Sequence, residues 1–76
     1  MTSVEIKLTS IQDIRAFVDK VAKYDMDIDL SSGRYIVDAK SIMGIFSLDL
    51  MNPLTLTAHG EDCDDLLLGL SEYIVK

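Results

Sequence analysis

A serine followed by a short apolar segment is the feature of this sequence with the clearest capacity for chemistry. The segment runs Lys40-Ser41-Ile42-Met43-Gly44-Ile45-Phe46-Ser47-Leu48, and its serine is placed to cap a short helix. One interpretation is a capping hydroxyl on a helix that lies flat over the core. The other is an exposed docking patch, because these large apolar groups cannot all point inward from one helix: Ile42, Met43, Ile45 and Phe46.

The same serine is a candidate for phosphorylation. A phosphate on Ser41 would lie at the positive end of the short helix, which favours negative charge. It would add up to two negative charges beside the apolar side chains and so change what they can bind. The residue types alone leave both interpretations of Ser41 open.

The other residue types that perform chemistry form no convincing constellation. The acidic run 61–65 has no calcium-loop pattern, and its carboxylates complement the first turn of a helix. Cys63 falls on an apolar stripe, which is typical of a small core residue. His59 is the only histidine and has no neighbouring nucleophile, so we interpret it as a turn residue. We therefore expect no metal, no cofactor and no enzymatic activity of the chain's own.

Composition narrows the classes of partner. The 76 residues contain seven basic and thirteen acidic side chains, a net charge of −6 that disfavours nucleic acid and anionic membrane as partners. A single cysteine provides no internal disulfide. The first residues carry neither a basic nor an apolar leader, so we expect no secretory signal and a cytoplasmic protein.

Two hydrophobic periods predict the elements that position these residues. Alternation of apolar and polar residues predicts strands at about 4–8, 26–30, 35–39 and 54–58, with a turn at Ser31-Ser32-Gly33. Within the third strand Tyr35, Val37 and Ala39 should face inward, whereas Ile36 breaks the pattern.

Helical spacing predicts three helices. The first runs from about Ser10 to Tyr24, is capped by Thr9 or Ser10, and buries Ile11, Ile14, Phe17, Val18 and Val21. The second covers 41–48, where Gly44 weakens the helix by about 1 kcal/mol relative to alanine and so requires a structural reason. The third is long and buries one stripe: Cys63, Leu66, Leu67, Leu70 and Ile74.

The order β-α-β-β-α-β-α predicts the fold. Each strand has one apolar face, and the first and third helices each have one apolar stripe. The economical arrangement is an α+β open-faced β-sandwich, with a four-stranded, mostly antiparallel sheet and three helices on one face. We expect residues 1–76 to form a single domain.

The segment from Lys40 to Leu48, together with the order of elements, resembles HPr. HPr is the histidine-containing phosphocarrier of the bacterial phosphoenolpyruvate:sugar phosphotransferase system, which acts in sugar transport, and its fold is an open-faced β-sandwich. The resemblance implies that Ser41 is the regulatory serine modified by HPr kinase/phosphorylase. It also implies that Met43 and Phe46 belong to the family's docking surface, to which we add the neighbouring Ile42.

The first helix departs from the family pattern. The family has a phosphoryl-accepting histidine at the start of this helix, followed by an arginine and a proline. Alignment on Phe17-Val18 puts Ser10 in the position of the histidine, Gln12 near the arginine and Asp13 near the proline. A serine phosphate is a stable ester and a poor phosphoryl donor, so the resemblance implies that the ordinary relay is lost.

Three hypotheses follow. The first is an HPr-like regulatory or binding protein, switched at Ser41 and acting in carbon catabolite regulation, as a histidine-lacking branch of the family does. Its partners would be HPr kinase/phosphorylase and phosphotransferase-system proteins or a transcriptional regulator, without direct contact to nucleic acid or membrane. The alternative is a working phosphocarrier, for which His59 is the only available imidazole. The third is an interaction module without either phosphorylation site.

Overall fold

Four strands form one antiparallel sheet, and three helices pack against it. The computed structural model describes residues 1–75. In chain order the elements are β1 (Thr2–Ile6), α1 (Ile11–Val21), β2 (Asp27–Ser32), β3 (Tyr35–Asp38), α2 (Ile42–Phe46), β4 (Leu54–His59) and α3 (Asp64–Gly69). The predicted order and the α+β open-faced sandwich are confirmed.

The strands lie in the order β1-β4-β2-β3, so β4 and β2 form the centre of the sheet. All three pairings are antiparallel. Leu56 of β4 lies opposite Val4 on one side and Leu30 on the other. As a result β1 and β3 form the two edges of the sheet.

The core lies between the sheet and the helices. Alternate residues of each central strand are buried, as the period of two requires. Phe17 of α1 is fully buried and meets the ring of Tyr73 edge-on, with 5.8 Å between the ring centroids. The strands and helices contribute these fully or almost fully buried residues: Ile6, Ile14, Val21, Ile28, Leu30, Ile45, Leu54, Leu56, Ala58, Leu66 and Leu70.

A two-residue turn joins β2 to β3. Ser32 lies opposite Tyr35, so Gly33 and Arg34 are the two central residues. Gly33 has a φ of 60°, a conformation that glycine adopts without steric cost, at the first central position of the turn. The turn predicted at Ser31-Ser32-Gly33 is therefore confirmed, but its central residues, Gly33 and Arg34, lie slightly later in the chain than predicted.

The first helix is shorter than predicted. It ends at Val21 instead of Tyr24, and the following residues close the helix with tighter turns, in which Tyr24 N–H donates to the Val21 carbonyl. Ile11 was expected in the core but is 64% exposed. It occupies the first helical position and lines an open surface groove instead of the core.

The third helix was predicted to be long, which is wrong: it ends at Gly69. The chain then turns back to β1, where the Lys7 N–H donates to the Tyr73 carbonyl at 2.8 Å and Ile74 pairs with Ile6 in an isolated bridge. The turn brings Tyr73 into the core. Leu67, predicted in the buried stripe, is only half-buried.

β3 also departs from the prediction. Ala39 is fully buried and Val37 is half-buried, as the alternation requires. Tyr35, however, was expected to face the core and is 72% exposed. Within residues 1–75, β3 is an edge strand, so no further strand lies beyond it beside Tyr35. No helix within residues 1–75 has the length and apolar character needed to cross a membrane.

Candidate functional site

Ser41 caps α2 and is exposed to solvent. Its extended backbone places Oγ 3.2 Å from the Gly44 N–H, from which it accepts a hydrogen bond. The Ser41 N–H donates to the Asp38 carbonyl at 2.9 Å, which fixes the start of the helix against the end of β3. The predicted capping role is confirmed, and the hydroxyl remains on the surface.

Gly44 is explained by close packing on both sides. A Cβ atom at this position would lie 3.2 Å from the Val37 Cβ and 3.3 Å from the Ser41 Oγ. Glycine therefore lets α2 approach β3 without displacing the capping hydroxyl. The cost in helix propensity is offset by this close approach.

The apolar residues of α2 divide between the core and the surface. Ile45 is fully buried, and Ile42 is partly buried against the core. Met43 is 76% exposed and Phe46 is 43% exposed. The two interpretations of this segment thus describe different side chains: Ile45 anchors the helix, while Met43 and Phe46 form an apolar surface beside Ser41.

An open groove of about 440 Å³ continues this surface toward the start of α1. Ser10 and Phe46 line the same groove, so the two positions singled out from the sequence lie close together in the fold. Ile11 and Met51, which is 83% exposed, also line it and were missed by sequence reasoning. An isolated methionine in a loop gives no periodic signal that would have identified it.

Ser10 begins α1 within a small network of hydrogen bonds. Its Oγ accepts from the Asp13 N–H at 3.0 Å. The Asp13 carboxylate in turn accepts from the Thr9 hydroxyl at 2.8 Å and from the Thr9 N–H at 3.2 Å. The bond from the Thr9 hydroxyl is the main reason that the pKa of Asp13 lies below its ordinary value. A carboxylate therefore stays ionised beside Ser10. Of the two predicted caps, Ser10 is the one that caps α1, and Thr9 bonds to the Asp13 carboxylate instead.

His59 lies at the opposite end of the sheet. Ser10 follows the end of β1 where Ile6 pairs with Leu54, whereas His59 follows the Ala58 that pairs with Thr2. Strand residues rise about 3.3 Å each, so the ends of the six-residue β4 lie about 17 Å apart. His59 Nε2 is 2.8 Å from the Asp29 Oδ2 on the open face of the sheet.

The remaining candidates have structural surroundings. Cys63 is buried, as predicted, and its thiol lies 3.6 Å from the Gly60 carbonyl oxygen. Asp64 and Asp65 occupy the first turn of α3, as expected for carboxylates that complement the helix dipole. Within residues 1–75, no three histidine, cysteine, aspartate or glutamate side chains are grouped so that they could hold a metal ion.

A four-stranded open sheet whose short helix is capped by a serine is the architecture of the HPr class of small phosphotransferase-system proteins. The family model described as "PTS HPr component phosphorylation site" matches residues 12–76, a range that begins two positions after Ser10. The HPr-like protein Crh of Bacillus subtilis (strain 168) is 37% identical over an alignment 76 positions long, which covers 93% of this chain and 89% of Crh. This chain belongs to the HPr family of the phosphotransferase system.

Solved structures agree with this assignment. The phosphocarrier protein HPr from Bacillus anthracis str. Ames superposes with a TM-score of 0.72 and 28% identity, covering 97% of this chain and 94% of that protein. Crh of Bacillus subtilis, described as an intertwined dimer with a swapped domain, superposes with a TM-score of 0.68 and 29% identity in the structural comparison. That match covers 96% of this chain and 90% of Crh. The predicted family resemblance is confirmed.

Proposed function

We propose that this chain is an HPr-like regulatory protein without a phosphohistidine relay, switched by phosphorylation of Ser41. The observation that carries the proposal is the position of the Ser41 hydroxyl, exposed at the start of α2 beside the exposed side chains of Met43 and Phe46. One modification at this position changes the charge of the surface that a partner would contact.

The physical effect of the switch follows from this proximity. Without phosphate, the surface formed by Ile42, Met43 and Phe46 carries no charge of its own. A phosphate on Ser41 adds up to two negative charges and several strong hydrogen-bond acceptors. A partner that offers arginine or lysine next to an apolar pocket would then prefer the phosphorylated form. HPr kinase/phosphorylase would supply the phosphate, and a transcriptional regulator is the expected reader.

The loss of the relay is supported by the start of α1. Relay requires a nitrogen nucleophile that holds phosphate in a transferable form, and Ser10 offers only a hydroxyl engaged in capping. The ionised Asp13 would also repel a phosphoryl group there. His59 is separated from this position by the length of β4.

Phosphorylation in vitro tests the switch. The protein is incubated with HPr kinase/phosphorylase and ATP, and its intact mass is measured. We expect one added phosphoryl group on the wild type and on Ser47→Ala, which removes the hydroxyl at the other end of α2. Ser41→Asn should stay unlabelled and folded, because asparagine replaces the capping oxygen as well as serine does. An unlabelled wild type would reject the switch.

A second incubation separates this proposal from the alternative phosphocarrier. The protein is mixed with phosphoenolpyruvate and Enzyme I, and acid-labile phosphate is measured. We expect none on the wild type. Acid-labile label that disappears in His59→Gln would replace our proposal with a carrier that uses His59. Absence of label in both incubations would favour an interaction module without phosphorylation.

A further inference from the structure

β3 presents an open edge with exposed apolar residues. It is the last strand of the sheet, and its Tyr35 and Ile36 are 72% and 69% exposed. Natural edge strands are usually protected from pairing by lysine, proline or a bulge. β3 is short and ends on Asp38, but its Tyr35-Ile36-Val37 stretch contains no charged residue, no proline and no bulge.

The backbone at this edge is oriented for pairing. The Ala39 N–H donates to the Ile28 carbonyl at 2.8 Å, which makes these two residues a hydrogen-bonded pair. In an antiparallel ladder such pairs alternate with pairs that do not bond to each other. Val37 and Tyr35 therefore bond toward β2, and both backbone groups of Ile36 face the open edge.

We propose that β3 pairs in antiparallel orientation with β3 of a second copy of this chain, joining two sheets into one. The two-fold axis passes beside Ile36, which lies opposite its own copy and exchanges both backbone hydrogen bonds with it. An interface of this kind uses the same residues on both subunits. In this register Tyr35 lies opposite Val37 of the second copy on the other face.

Charge complementarity selects this partner and this register. Arg34, the turn residue just before β3, and Asp38, the last residue of β3, lie two positions from Ile36 on either side, so the long arginine side chain of each copy can reach the aspartate of the other. Opposite charges directly across two strands stabilise their pairing. Within residues 1–75 Arg34 takes part in no ion pair, and Asp38 uses Oδ1 to accept from the Lys40 N–H. Parallel in-register pairing would instead place arginine against arginine, and a two-residue shift would break the ion pairs.

The interface is small and its association reversible. β3 has four residues, and each copy carries a net charge of −6, which opposes association. Small interfaces of this type belong to weak, transient complexes. The dimer is therefore expected to form as protein concentration rises toward the millimolar range.

A charge swap across the edge tests the proposal. Sedimentation equilibrium over a concentration series is measured for the wild type, Arg34→Asp, Asp38→Arg, and an equimolar mixture of these two variants. Each variant alone faces like charges and should dimerise at least roughly tenfold more weakly. The mixture restores both ion pairs and should recover the dimer. Arg15→Asp, which changes the same charge on exposed α1 surface, should dimerise like the wild type.

Two results would overturn the proposal. One is a wild type that remains monomeric at millimolar concentration. The other is a dimer that Arg34→Asp weakens no more than Arg15→Asp does, which would indicate a different interface, such as an exchanged segment. Arg34→Asp lies in an exposed turn and should fold normally, as circular dichroism would verify, so the test does not depend on Asp38→Arg.

Discussion

The two ends of the sheet differ in the chemistry that they place on the surface. At one end, the start of α1 and the end of α2 meet at an apolar groove lined by Ser10 and Phe46. At the other end, His59 lies with Asp29 and Asp38 around an open polar depression of about 370 Å³. The groove at Ser10 and the one imidazole of the chain are therefore separated by about the length of β4, and Ser41, bonded to Asp38, begins the helix that leads from β3 toward the groove.

This separation is informative because the resemblance to HPr implies one docking surface for both phosphoryl relay and regulation. Here the groove end has exposed apolar side chains and an ionised carboxylate, Asp13, beside Ser10. The histidine end has an imidazole but few apolar side chains to hold a partner. This division supports our proposal of regulation through Ser41 without a phosphohistidine relay.

The largest expected effect comes from the core that supports both ends. Leu66 is fully buried, so Leu66→Ala should lower the free energy of unfolding by about 2–5 kcal/mol. Leu67, its half-buried neighbour, should lose less than about 2 kcal/mol when changed to alanine. Urea denaturation followed by circular dichroism measures both. Equal losses for the two variants would contradict the orientation of α3.

The exposed apolar side chains of α2 should dominate partner binding. Changing Met43 and Phe46 together to alanine should weaken binding of the phosphorylated protein to its regulator by about 2 kcal/mol, or roughly 30-fold. Both side chains are exposed, so the fold should be retained. Isothermal titration calorimetry measures the affinity.

The matched control for this experiment is Leu68→Ala, which removes an equally exposed apolar side chain from α3. Its affinity should stay at the wild-type value. If Leu68→Ala and the double variant weaken binding equally, the partner does not dock on α2, and the comparison between the two ends fails.

The smallest effect is expected at the histidine end. The side chains of His59 and Asp29, which contact each other, are 39% and 40% exposed. Exposed charge pairs contribute little to the free energy of unfolding. His59→Gln should therefore change the free energy of unfolding by less than about 1 kcal/mol. It should also leave labelling of Ser41 by kinase and ATP unchanged, measured by intact mass. A loss of Ser41 labelling would link the two ends.

Much of the fold follows from local patterns. The caps at Ser10 and Ser41 were predictable because a capping hydroxyl bonds to N–H groups only three residues away. The strand faces were predictable because neighbouring side chains alternate between two sides. The predicted end of the third helix was wrong because the apolar period continues past Gly69. The chain instead turns back toward β1, where the Tyr73 carbonyl accepts from the Lys7 N–H and the Val75 N–H donates to the Glu5 carbonyl.

The sequence by itself determined the order of elements, the capping serines and the family, since each depends on residues close together in the chain. Only the tertiary structure decided which apolar residues remain exposed, as with Ile11, Tyr35 and Met51. It also decided that Ser10 and Phe46 share a groove and that His59 lies far from both. The physical reason is that exposure and proximity depend on which distant segments pack against a residue, and a local pattern carries no information about them.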